Sequence, residues 1–252
     1  MKQTQSVGAI ILAAGKGKRM LSKTVNKVTM PLGGRPMISY AVSLLQELAI
    51  EPIVVVVGFA KKSVMQALQE YPLIYAYQQK RLGVAHAVAC GLKKIPTNVV
   101  HVLVLNGDDS AFYTKKLIST LLKQHFASGA AMTFLTTRKD NPIGLGRIIR
   151  SRDGSVEKIV EEKDASEKER KIKEVNPGCY VFTTAFLKQY LPKITKSTIT
   201  GEYYLTEIVN LAVQKNKKIE TIESGEIPWR GVNTPEELRE AELLFAQLQN
   251  IV

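Results

Sequence analysis

Apolar residues in the first hundred positions come as short unbroken runs separated by stretches with helical spacing. Val7 to Ala13 is a continuous apolar run of strand length, and Pro52 to Gly58, Ile74 to Gln78 and Val99 to Leu105 repeat the pattern. Between them, Pro36 to Ala49 sets Met37, Ala41, Leu44, Leu45 and Leu48 on one helical face, and Lys61 to Glu70 and Val84 to Ile95 also read as helices. Strands alternating with helices predict an α/β fold, a mostly parallel sheet with helices on both faces. Further on, Gly146 to Ile149 and Val156 to Val160 flank Arg152-Asp153-Gly154, which predicts a β-hairpin insertion in the second half. Near the C-terminus Thr234 can cap a helix that Pro235 begins. Glu237 completes a capping box, and Leu238, Ala241, Phe245 and Leu248 line one side, so a helix is predicted over 234–250. No linker, repeat or low-complexity tract divides the chain, and a single domain over 1–252 is expected.

The end of the first strand departs from an ordinary turn. Ala13-Ala14-Gly15-Lys16-Gly17-Lys18-Arg19-Met20 threads three cations through two glycines, and Lys23 and Lys27 follow with no acidic residue between them. In open parallel sheets ligands bind beyond the C-terminal strand ends, where this stretch emerges. Small residues let main-chain N–H groups approach an anion, and the cations neutralise it. Two phosphate motifs do not apply. Met20 stands where the dinucleotide fingerprint needs a third glycine, and no Ser or Thr follows Lys16 or Lys18 at P-loop spacing. A strand-ending turn with exposed lysines would look the same on the two glycines alone.

Composition narrows the alternatives. A hydrophobic fraction of 45% with 23% charged residues suits a folded globular chain rather than disorder. The net charge of +12 raises nucleic-acid binding, but the basic pairs are scattered and no recognition module or aromatic platform accompanies them. No nucleic-acid partner is expected. No apolar stretch approaches membrane-span length and the N-terminus lacks a signal-peptide core, so no membrane association and a cytoplasmic location are expected. Cys90 and Cys179 lie in apolar segments without metal-ligand spacing and read as core residues. His86, in a helix-like run, and His101, in a strand, receive no catalytic role. Trp229 reads as packing beneath the loop that presents Asn233.

The remaining motifs fall in a recognisable order. Leu12-Ala13-Ala14-Gly15-x-Gly17-x-Arg19-Met20, Lys27 and Gly34-x-Pro36-Met37 are followed by Gln78, Leu82-Gly83-x-Ala85-His86-Ala87 and Leu105-x-Gly107-Asp108. Then come Gly146-Arg147-Ile148, Ile159-Val160-Glu161-x-Lys163-Asp164-Ala165, Glu174-x-Asn176-x-Gly178, Gly201-Glu202-Tyr203-Tyr204-x-Thr206 and Gly231-Val232-Asn233. Each is weak alone, but over nearly the whole chain the ordered set resembles the sugar-1-phosphate nucleotidyltransferases. Within that family it resembles most the uridylyltransferase half of the bacterial N-acetylglucosamine-1-phosphate uridyltransferases.

The resemblance implies a Rossmann-like fold of the nucleotide-diphospho-sugar transferase type. It also implies transfer of UMP from UTP to a sugar 1-phosphate, N-acetylglucosamine 1-phosphate first among them, with release of pyrophosphate. That chemistry aligns two polyanions and needs no covalent nucleophile. Leu12, Ala13, Ala14, Gly15, Gly17, Gln78 and Gly83 would hold the nucleotide, Gln78 and main-chain groups reading the uracil edge. Arg19 would grip the triphosphate, and Lys27 would bridge phosphates of both substrates. Asp108 and Asn233 would hold Mg2+, with Asp108 counted among the catalytic residues beside Arg19 and Lys27. Gly107, Gly146, Glu161, Asn176, Glu202 and Tyr204 would hold the sugar. From the residues alone, Asp109 competes with Asp108 as the metal carboxylate, Gln78 could only cap a strand end, and Asn176 before Pro177 could only shape a turn.

Five positions depart from the family pattern: Asn26 replaces a proline, Val84 a threonine, Ser110-Ala111 a Pro-Leu pair and Pro177 a threonine. The lost hydroxyls at Val84 and Pro177 leave the base and sugar open, so another sugar-1-phosphate or a phosphocholine-type nucleotidyltransferase using UTP, CTP or dTTP is the alternative. A nucleotide-sugar glycosyltransferase could use Asp108-Asp109 but would not need Arg19 and Lys27 for a departing pyrophosphate. A non-catalytic nucleotide-sugar-binding regulator is the reading outside enzymology, and retention of Lys27 and Asp108 argues against it. Bifunctional relatives continue into hexapeptide repeats that carry acetyl transfer. None is present before Val252, so neither acetyltransferase activity nor the trimer such repeats impose is expected. Oligomeric state is otherwise left open.

Overall fold

The run Ile53–Val57 is buried at every position, which only a strand covered on both faces allows. The computed structural model describes residues 6–20, 22, 24–225 and 231–249. In chain order the elements are β1 (Val7–Ala13), the two-residue strands β2 (Pro31–Leu32) and β3 (Arg35–Pro36), α1 (Met37–Glu47), β4 (Ile53–Val57), α2 (Lys61–Ala67), β5 (Ile74–Tyr77), α3 (Val84–Leu92), β6 (His101–Asn106), α4 (Lys115–Ser128), β7 (Met132–Arg138), β8 (Gly146–Arg150), β9 (Val156–Val160), α5 (Glu167–Arg170), β10 (Glu174–Asn176), β11 (Tyr180–Thr183), α6 (Thr184–Tyr190), α7 (Glu207–Gln214), β12 (Ile219–Glu223) and α8 (Pro235–Gln249).

The main sheet runs β5-β4-β1-β6-β11-β7-β10-β8-β9, with β12 pairing β7 off this path. β5, β4, β1 and β6 are mutually parallel. From β11 to β9 each neighbour along the path is antiparallel, so the sheet is mixed, with its parallel half first in sequence. Alternate side chains separate two cores. Ile11, Val55, Val57, Leu103 and Leu105 meet α1, α2 and α4 on one face. Ile10, Val54, Val56, Val102 and Val104 meet α3, α6 and α7 on the other.

The predicted elements form, with some ends shifted by one to three residues. Pro36 belongs to β3, so α1 starts at Met37. α2 and α3 stop at Ala67 and Leu92, ahead of Pro72 and Pro96. The expected hairpin is β8–β9, closed by a turn in which Gly154 takes φ +84°. The antiparallel insertion of β11 between β6 and β7 was not foreshadowed by the alternation in the first half.

Helix α8 starts at Pro235 as predicted, and its capping box is made: Glu237 N–H donates to Thr234 Oγ1 at 3.1 Å, and Thr234 N–H to Glu237 Oε2 at 3.2 Å. Its Ala241 and Phe245 join Val232, Leu32, Met37 and Met20 in a third, smaller core. Gly33 is required there, because at φ +56° a side chain would run into the Phe245 ring. Trp229 and the side chain of Leu248 lie outside the described residues. Cys179 is buried, while Cys90 is only half-buried at the edge of a core. Among the described residues no helix is long and apolar enough to cross a membrane.

Candidate active site

The C-terminal ends of β1 and β6 open into a cavity of about 830 Å3. One wall is the glycine loop that follows β1. Asn26, fully buried, holds that loop from behind: its Nδ2 donates to the carbonyls of Ala13 at 2.9 Å, Gly15 at 3.2 Å and Phe59 at 2.9 Å. Its Oδ1 accepts from Val28 N–H at 3.2 Å. Ala14 O is engaged as well, by Phe59 N–H at 3.1 Å. In a planar trans peptide the N–H points opposite to the C=O, so engaging these carbonyls turns the N–H groups of Ala14, Gly15 and Lys16 away from the clamp. A residue that reads in sequence as a lost proline thus fixes the loop's orientation.

Lys27 follows Asn26 directly. Its ammonium forms an ion pair with Asp108 and donates to Asn233 Oδ1 at 2.8 Å and Val232 O at 2.9 Å. The side chains of Lys27 and Asp108 are each only 15% exposed, so this is not a solvent-screened surface pair. Residues 27, 108 and 233 are thereby brought to one point. Asp109 also lines the cavity, but its Oδ2 accepts from Asn106 Nδ2 at 3.2 Å. A carboxylate, an amide oxygen and a main-chain carbonyl already surround one positive charge, and this all-oxygen set fits a hard cation such as Mg2+. Among the described residues no group of three or more His, Cys, Asp or Glu side chains could hold a metal. Asp108 and Asn233 would therefore supply part of a shell that water and phosphate oxygens complete.

At the other end of the glycine loop, Gln78 is buried just past β5, its own N–H bonded to Val57 O at 2.8 Å. Its Nε2 donates to Gly83 O at 3.0 Å and lies 3.1 Å from His86 Nδ1. Gly83, at φ +105°, packs against the Tyr203 backbone so closely that a side chain would collide with it. This contact joins the glycine-loop side of the cavity to the segment that carries Glu202 and Tyr204.

The opposite wall comes from the antiparallel half. Glu161 Oε1 accepts from Thr206 Oγ1 at 2.8 Å. Burial pushes the Glu161 carboxyl above the ordinary glutamate range, against the opposing Thr206 bond. Asn176 Nδ2 donates to the Tyr180 hydroxyl at 2.5 Å, and its Oδ1 accepts from Gly178 N–H at 3.0 Å. The Tyr204 hydroxyl accepts from Thr200 Oγ1 at 2.7 Å. Behind them Arg147, 1% exposed, pairs with Glu162 at 2.5 Å and donates to the Leu145 carbonyl, pinning the Gly144–Gly146 segment to the wall.

Of the residues singled out in sequence, the cavity wall includes Leu12, Ala13, Ala14, Gly15 and Gly17 from the loop. It includes Lys27, Gln78, Gly83, Asp108 and Asn233 on the same side as the loop, and Gly146, Glu161, Asn176, Glu202 and Tyr204 opposite. Two lie elsewhere. Arg19 is exposed on the short helical turn beyond the loop, outside the lining. Gly107 sits behind the wall, donating to Leu12 O at 3.1 Å, where a side chain would press on that oxygen and on Val28. Its absent side chain serves close packing of strand ends. Sequence reasoning missed the supporting contacts of Asn26, His86, Arg147, Tyr180 and Thr206. His86, Arg147 and Thr206, as members of quoted motifs that also hold predicted site residues, carried a signal for this.

Comparison with known proteins identifies the family of the chain. The chain matches the nucleotidyl transferase family over residues 8–247. It is 42% identical over 203 residues to the bifunctional protein GlmU of Geobacillus thermodenitrificans, covering 81% of this chain and 44% of that one. It is 41% identical over 244 residues to the bifunctional protein GlmU of Caldanaerobacter subterraneus, covering 96% and 52%. A 2.76 Å crystal structure assigned to a glucose-1-phosphate thymidylyltransferase of Bacillus anthracis, in complex with sucrose, superposes with a TM-score of 0.78 at 25% identity over 95% of each chain. The chain spans about half the length of the curated relatives it matches. With the match running from the first strand to the C-terminal helix, the chain belongs to the nucleotidyl transferase family.

Proposed function

We propose that this chain is a Mg2+-dependent uridylyltransferase that transfers UMP from UTP to a sugar 1-phosphate, N-acetylglucosamine 1-phosphate first among the candidates, releasing pyrophosphate. The observation that carries the reading is the Lys27 ammonium held between Asp108 and Asn233 at the floor of a cavity bounded by the glycine loop. The N–H groups of that loop and Lys16 would receive the triphosphate, with Arg19 reaching it from the turn beyond. Lys27 would neutralise the α-phosphate and the sugar phosphate as the sugar-phosphate oxygen attacks phosphorus in line with departing pyrophosphate. Asp108 and Asn233 would hold Mg2+, which when bound screens phosphate charge. Glu161, Asn176 and Tyr204 would take the sugar hydroxyls and N-acetyl group, with Glu202 at the rim.

GlmU relatives at about 40% identity favour the uridylyl reading. The structural likeness to a chain assigned as a thymidylyltransferase favours dTTP as the second. Pyrophosphate release measured across a grid of nucleoside triphosphates and sugar 1-phosphates decides between them. UTP with N-acetylglucosamine 1-phosphate should give the highest kcat/KM. A maximum with dTTP and glucose 1-phosphate would select the second reading, and no turnover with any pair would reject both.

A further inference from the structure

We propose that His86 is a positioning residue that sets which edge of the nucleotide base the site accepts. The inference rests on the nucleotide reading above, in which the base lies against Gln78.

A glutamine amide can present either a donor or an acceptor to a ligand, and a free side chain would rotate to suit either. Here the rotation is fixed. Gly83 O can only accept, so the group facing it at 3.0 Å must be Nε2. The second hydrogen of Nε2 points to His86 Nδ1 at 3.1 Å. Two facing donors would repel, so Nδ1 carries the lone pair and the imidazole proton sits on Nε2, on the side of Cys90 Sγ at 4.0 Å. Both amide hydrogens are thereby engaged, and Oε1, an acceptor, is what remains for the cavity that Gln78 lines. The backbone holds both partners in place: β5 delivers Gln78, and the first turn of α3 delivers His86.

The chemical consequence is a choice of base. Uracil and thymine carry a hydrogen on N3 and can donate it to Oε1. Cytosine has a lone pair on N3 and would set it against another at the same position. A flipped amide would set Oε1 against Gly83 O and against the Nδ1 lone pair together, so His86 adds to the barrier that Gly83 begins. Without an acceptor at residue 86 the amide gains freedom to turn, and discrimination falls.

The test is the ratio of kcat/KM for UTP over CTP at fixed sugar 1-phosphate, with dTTP replacing UTP if the grid selects it. His86→Leu should lower the ratio by about tenfold, the scale of one hydrogen bond, and act through KM of the nucleotide more than through kcat. His86→Asn, whose Oδ1 can accept near the position of Nδ1, should restore most of the ratio. His86→Gln, whose amide lies nearer the position of Nε2, should not. If His86→Leu does not fold, the Asn and Gln variants carry the test. Gln78→Ala separates the two levels of inference. A ratio that falls in Gln78→Ala but not in any His86 variant overturns the role of His86 and leaves the base reading standing. A ratio unmoved in both overturns the base reading at Gln78 and this inference with it.

Discussion

The two walls of the cavity are built by different means. The wall at the glycine loop is made of main chain and fixed charge: a loop clamped through its carbonyls by Asn26, and Lys27 held by three oxygens. The opposite wall is built from neutral side-chain pairs around one buried acid: Thr206 on Glu161, Asn176 on Tyr180, Thr200 on Tyr204. A polyanion needs charge and convergent N–H groups, and any small residue supplies the latter. A sugar differs from its epimers by single hydroxyls, and only side chains placed one by one can tell them apart. On the proposed function, the parallel half would carry the reaction and the antiparallel half the choice of acceptor.

Breaking the first wall should cost most. Removing divalent metal with EDTA is expected to abolish pyrophosphate release, and excess Mg2+ to restore it. Full activity in EDTA would remove the oxygen set at Asp108 and Asn233 from the chemistry. Lys27→Ala is expected to lower kcat about 10²–10³-fold, the range for losing one preorganised group at a developing charge, while thermal unfolding shifts by only a few degrees. Equal turnover in the two proteins would show that the charged wall binds without catalysing.

Breaking the second wall should do less, and differently. Glu161→Gln keeps the shape of the pocket but gives up its charge. It is expected to raise KM for the sugar 1-phosphate about tenfold with KM for the nucleotide nearly unchanged. A rise in both would mean that the walls are not separable.

A pH titration of stability sharpens the comparison by probing the frame that both walls share. His101 on β6 and His125 on α4 are buried with Nδ1 and Nε2 3.0 Å apart, and His125 Nδ1 lies 2.9 Å from Thr133 Oγ1. Burial, with His101 alongside, lowers His125 to about 4, and burial lowers His101 as well. A folded pKa below the unfolded value near 6.5 means that protonation favours the unfolded chain. This contribution is intact above pH about 6.5 and is lost as pH falls toward 4, at a cost of up to about 3 kcal/mol for His125. Chemical denaturation at pH 7 and pH 5 should show the decline, and His125→Gln should flatten it.

The glycine loop and the aspartate past a buried strand were legible in the sequence pattern itself, because each stands at a strand end where such residues are out of place in a core. The roles given to Lys27 and Asn233 entered only through the resemblance to a family, and the structure brings both beside Asp108. What could not be read was support. Asn26 looked like a departure, because a side-chain amide that bonds carbonyls of residues 13, 15 and 59 leaves no local pattern. Arg19 and Gly107 were assigned to the wall by motif, whereas the structure sets one on the exterior and the other between strand ends. The antiparallel half was half legible. The β8–β9 pair has a turn signal, but β11 enters between β6 and β7 by long-range pairing that local periodicity does not encode.

The bond from Lys27 to Val232 and Asn233 joins positions 205 and 206 residues apart. During synthesis at about 5–20 residues per second, the glycine loop and much of the sheet exist for many seconds before residue 233 is made. A nascent chain carries the lysine and the aspartate but not the amide that joins them, so a chain cut short before residue 233 cannot assemble this cluster.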